Sequence, residues 1–133
     1  MLARWVTGLD ETQQQAIGEL RARQQWASAV VASDPDSQTD TLRAPAGVVK
    51  DVLDHWTQGQ PTYDPGKIRA PTLIVVGEWD HETTPEQGRE VFDRLSSAAD
   101  RRYLLIGRAT HSMLLERQAP ALRAAVQAFL TER

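Results

Sequence analysis

No cysteine occurs among the 133 residues, which excludes disulfides, thiolate zinc sites and a cysteine nucleophile together. The absence fits a reducing compartment without demanding one. A surplus of basic charge is also missing: 15 Lys+Arg against 18 Asp+Glu leave a net charge of -3, so no overall positive field attracts nucleic acid or an anionic membrane. Aromatic residues are only 6% of the chain, and the four tryptophans, Trp5, Trp26, Trp56 and Trp79, are scattered. They read as core or cap packing rather than as a stacking platform for bases. The longest apolar run, residues 72–77, is far too short to span a bilayer. The first residues, Met1-Leu2-Ala3-Arg4-Trp5, lack the apolar core of a signal peptide. A cytoplasmic protein with neither nucleic-acid nor membrane partners is the expectation. Gly77 and Gly107 are isolated glycines rather than parts of a phosphate-binding loop. His55, His81 and His111 lack metal-ligand spacing, and His81-Glu82 reads as a solvated loop, so neither metal nor cofactor is expected.

What is present divides into three zones. Residues 10–32 are helical in pattern: Asp10-Glu11 is an acidic start, and Ile17, Leu20, Ala27 and Val31 fall near one face, with Gln and Arg on the others. Residues 33–45 have loop composition. A second helix is predicted over residues 46–58, with an apolar stripe of Val49, Val52, Leu53 and Trp56, stopped by Gly59-Gln60-Pro61. The period then changes. Thr72-Leu73-Ile74-Val75-Val76-Gly77 is an unbroken β-branched and aliphatic run, the pattern of a parallel strand covered on both faces.

Thr84-Pro85-Glu86-Gln87 is a capping box with Pro at the first helical position, opening a helix with Val91, Phe92 and Leu95 on one side. A second strand spans residues 102–106. The last helix is expected to begin between Ser112 and Glu116 and to present Leu115, Ala119, Leu122, Val126 and Phe129 on one face, with Pro120 signalling a later start or a kink. Strand, helix, strand, helix makes a βαβα unit with parallel strands and a right-handed crossover. Two parallel strands alone leave apolar edges unpaired, so self-association or an N-terminal partner segment is expected.

Chemistry in open parallel sheets gathers beyond the carboxyl ends of the strands. The first strand is followed there by Gly77-Glu78-Trp79-Asp80-His81, the second by Gly107-Arg108-Ala109-Thr110-His111-Ser112. Singly, such an Asp is more often a turn former or helix cap, and such a His a solvated loop residue. Together, at matching positions, they can form an Asp–His pair whose second ring nitrogen acts as a general base.

From about Tyr63 to its end the chain resembles the C-terminal portion of an α/β-hydrolase. Ile68-Arg69-Ala70-Pro71 and the strand after it, Glu78-Trp79-Asp80, Thr84-Pro85, Thr110-His111-Ser112 and the closing amphipathic helix carry the resemblance. It implies a partial α/β-hydrolase fold, with residues 1–62 as a helical cap-like segment and 63–133 as the C-terminal part of the core. It also implies ester-like bond hydrolysis of a small-molecule substrate, Asp80 being the acid and His111 the base of a catalytic triad. Thr110 stands where the family commonly has Gly. Trp79, Met113 and Leu114 are the candidates for a substrate-binding wall. No G-x-S-x-G elbow is present: Ser28, Ser33, Ser37, Ser96, Ser97 and Ser112 all lack the flanking glycines, and Ser112 reads as a helix-start residue. The nucleophile, Ser or Asp, is therefore expected outside this chain, and the chain alone is expected to be inactive. The alternative is a non-catalytic, hydrolase-derived binding or dimerisation module.

Overall fold

A computed structural model describes residues 6–19, 21–36 and 45–132. The order of elements is α1 (Glu11–Ile17), α2 (Arg21–Ala32), α3 (Gly47–Asp54), β1 (Thr72–Gly77), α4 (Pro85–Arg94), β2 (Arg101–Ile106) and α5 (Ala119–Thr131), with 3-10 turns at Trp56–Gln58, Pro65–Lys67 and Met113–Leu115. β1 and β2 pair in parallel, in register from Thr72 opposite Arg101 to Gly77 opposite Ile106. Among the described residues they form a two-stranded sheet.

Helix α4 makes the crossover, and the capping box that opens it is formed as the sequence predicts. The Thr84 hydroxyl accepts from the Gln87 amide, and the Gln87 side chain accepts from the Thr84 amide. Gly88 lets α4 settle onto the sheet, since a Cβ there would lie 2.6 Å from Cγ2 of Val76. Ile74, Val76 and Tyr103 thus occupy the α4 face, where the Tyr103 hydroxyl donates to the Pro85 carbonyl at 2.8 Å. The core of Ile106, Ala109 and Met113 gathers Val75, Leu104 and Leu122 on the opposite, α5 side of the sheet. Helix, sheet and helix are therefore three layers, and β1 is enclosed most fully at its carboxyl end, where Val76 and Gly77 are buried.

Three predicted elements differ. The long first helix is broken: α1 stops at Gly18, whose φ of 105° suits only glycine, and the chain restarts helically at Arg21. The second helix ends at Asp54, and its apolar stripe is not packed: Val49 is 60% exposed, Leu53 62% and Trp56 53%. The last helix starts later than residues 112–116. Residues Met113–Leu115 form a 3-10 turn, and α5 begins at Ala119 with Pro120 in its first turn, where a missing N–H costs nothing. Trp5, Leu20, Ser37 and the rest of the 37–44 stretch lie outside the described residues. No helix among the described residues is long and apolar enough to cross a membrane.

Candidate active site

The backbone brings the two strand-end loops together before any side chain is involved. Beyond the strands, the Glu78 amide donates to the Ile106 carbonyl and the Trp79 amide to the Ala109 carbonyl, both at 2.9 Å. The second loop turns sharply at Arg108, whose φ of 56° is unusual for a residue with a side chain. The Glu78 carboxylate accepts from the Arg108 amide at 2.8 Å and so ties that turn to the first loop. Gly77 sits where they meet: a Cβ would lie 2.4 Å from the Ala109 carbonyl oxygen and 2.9 Å from that of Thr110. Because both obstacles are backbone, Gly77→Ala is expected to cost about 1–3 kcal/mol by overpacking. Thermal unfolding measures it, and an unchanged midpoint would show that the loops are not held this closely.

This contact delivers Asp80 and His111 to each other. Oδ2 of Asp80 lies 2.9 Å from Nδ1 of His111. Oδ1 accepts from the amides of Glu82 and Thr83, at 2.9 and 2.8 Å. The carboxylate is therefore anchored through both oxygens, and its side chain is 4% exposed against 53% for the imidazole. With Nδ1 donating to a buried carboxylate, Nε2 carries the lone pair of a neutral ring and can take a proton. The arrangement is an oriented imidazole at the rim of a cleft lined by Leu9, Trp79, His81, Glu82, His111 and Ser112. The cleft is small, with a volume of about 30 Å³, enough to admit water.

The structure treats the three candidate wall residues differently. Trp79 lines the cleft. Met113 is buried with Ile106 and Ala109 in the core instead, and Leu114 is 64% exposed beside Leu122, Val126 and Leu130 of α5. Neither is among the residues that line this cleft; both belong to the 3-10 turn that follows Ser112. Ser112 borders the cleft, but its side chain caps no helix. His81 packs against Gly8, where a Cβ would lie 3.5 Å from its Cδ2. No cluster of three or more potential metal ligands occurs among the described residues.

Two residues of this region escape the sequence reading. Arg23 is only 1% exposed and Glu116 only 6%, and they pair at 2.6 Å across 93 positions of sequence. Placing the Arg residues of the first zone on a polar face is corrected here: Arg23 is among the most completely buried side chains. A signal was available, since Leu20, Arg23, Ala27 and Val31 follow steps of three, four and four, the spacing of one helical face. Glu116 also holds Thr110, accepting from its amide at 2.9 Å and from its hydroxyl.

A family model described as X-Pro dipeptidyl-peptidase (S15 family) matches residues 3–113, a span that takes in both strands, Asp80 and His111. No curated protein and no solved structure matches the chain.

Proposed function

Because the chain belongs to the X-Pro dipeptidyl-peptidase (S15) family, a serine-hydrolase family of the α/β-hydrolase superfamily, we propose that it contributes the acid and base of an acyl-transfer site whose serine lies outside these 133 residues. The observation that carries this reading is the 2.9 Å bond between the anchored Asp80 carboxylate and His111 Nδ1 at the carboxyl edge of the sheet. Nε2 of His111 takes the proton of the serine hydroxyl as its oxygen bonds to the substrate carbonyl carbon. Asp80 stabilises the imidazolium, which then gives the proton to the leaving group as the acyl bond breaks. Water repeats the sequence and frees the acid. A membership of this kind favours serine over aspartate as the nucleophile, and hence acyl transfer over displacement at carbon. The family description points to amides of X-Pro dipeptides, and small esters are the simpler substrates of the same chemistry. Trp79 is the residue best placed to line the substrate site.

The sheet supports the same conclusion. Among the described residues the two parallel strands have no further strand beside them, and a complementary polypeptide that adds strands can also bring the nucleophile elbow. The test is complementation: the 133-residue chain, alone and with a strand-and-elbow segment bearing G-x-S-x-G, is assayed on an X-Pro anilide and on a small activated ester. Turnover is expected only in the complemented sample, and the preferred substrate decides between amide and ester. A folded complement without activity on either overturns the reading.

The exposed Val49 and Leu53 of α3, with Trp56 in the turn that follows, favour a second reading, a non-catalytic association module. On that reading Asp80→Asn and His111→Gln leave association unchanged and no complement confers turnover.

A further inference from the structure

About half of the His111 side chain is in solvent: it is 53% exposed, and Nδ1 bonds Oδ2 of Asp80 at 2.9 Å. A half-exposed imidazole reaches Asp80 from one staggered rotamer, and where that rotamer points is set by the backbone beneath it. That backbone is fixed from both sides. Oε2 of Glu116 accepts from the Thr110 amide at 2.9 Å, and Oε1 accepts from the Thr110 hydroxyl. The Thr110 hydroxyl oxygen in turn accepts from the Ser112 amide at 3.2 Å. The residues immediately before and after His111 thus converge on a single hydroxyl and a single carboxylate. Arg23 supplies the counter-charge, its Nη2 donating to Glu116 Oε1 at 2.6 Å.

This arrangement is costly for a purely structural contact. Arg23, Thr110 and Glu116 are 1%, 5% and 6% exposed, and Nε and Nη1 of Arg23 are buried without an acceptor among the described residues. Apolar side chains of similar volume often serve as well or better than a buried ion pair. What they cannot do is accept the Thr110 amide and hydroxyl. We propose that the buried Arg23–Glu116–Thr110 cluster is a positioning device that holds the backbone around His111 so that Nδ1 meets Asp80. The proposal rests on the reading of Asp80 and His111 as an acid–base pair. It also makes α2 a support of the base, reaching the His111 loop from the far end of the chain.

The tautomer of His111 reads this directly. Long-range proton–nitrogen correlations on the ¹⁵N-histidine-labelled chain distinguish Nδ1–H from Nε2–H in a neutral ring. The full chain is expected to hold His111 mainly as Nδ1–H, and Asp80→Asn to lose that form. Thr110→Val keeps the shape of the side chain and removes only its hydroxyl. It is expected to reduce Nδ1–H to the minor species while the amide spectrum of β1 and β2 is kept, and Thr110→Ser to restore it. Glu116→Gln should act in the same direction, and where it prevents folding the valine variant decides. If Asp80→Asn shifts the tautomer but folded Thr110→Val does not, the pair stands and the positioning role is overturned. If Asp80→Asn leaves the tautomer unchanged, the pair itself is wrong and the proposal falls with it.

Discussion

In the complemented enzyme, His111→Ala is expected to lower kcat by on the order of 10⁶, and Asp80→Asn by on the order of 10⁴, the losses seen when members of a nucleophile–His–acid unit are removed singly. The reason for the second figure lies in the geometry at Asp80. An amide at position 80 keeps an oxygen for the amides of Glu82 and Thr83, so the loop is retained. Its NH₂ group then faces Nδ1 of His111, which must become the acceptor. The ring proton moves to Nε2, and the base loses the lone pair with which it takes the serine proton. The double variant should be no slower than His111→Ala, because the two groups act as one unit. His111→Ala should lower the unfolding free energy by about 1–3 kcal/mol, since Oδ2 of the buried Asp80 carboxylate loses its partner. Steady-state kinetics with an unfolding curve for each variant makes the comparison. Undiminished turnover in the His111 variant would sink the assignment.

Arg23→Leu carries the largest stability effect. Removing one partner leaves the buried Glu116 charge uncompensated, and such losses run at about 3–5 kcal/mol. The effect should be read from the urea midpoint and should change little with salt, because a buried pair is weakly screened. Combining Arg23→Leu with Glu116→Leu should cost less than the sum of the two single changes, since each single change strands the other charge. It should not return to the original stability. The Thr110 amide and hydroxyl then lack their acceptor, at about 1–3 kcal/mol for buried polar groups left unpaired. A loss under about 1 kcal/mol for Arg23→Leu would mean that water reaches the pair, contrary to its burial.

Much of the C-terminal half is legible in the chain because its signals are short in range. The run from Thr72 to Gly77 marks β1, the Thr84–Gln87 box marks the start of α4, and Asp80 and His111 follow successive strands. Parallel pairing then brings their loops to one edge. The N-terminal half is less legible. Apolar spacing marks a helical face on α3, yet it does not say whether anything packs on that face, and Val49 and Leu53 remain exposed. Met113 and Leu114 are neighbours of His111 in sequence, but a 3-10 turn sends one into the core and the other to the α5 surface.

By itself, the amino-acid sequence determined the βαβα unit, its capped helix and the placing of an Asp and a His after consecutive strands. Each of these depends on residues within a few positions of one another, where backbone geometry and side-chain period act directly. Only the tertiary structure decided that Gly77 must lack a side chain, since the atoms it would meet belong to Ala109 and Thr110. It likewise decided that Arg23 turns inward to Glu116, a pairing that spans 93 positions and exists only once α2 packs beside the His111 loop. A buried charge finds its partner through packing, and no local pattern records that choice.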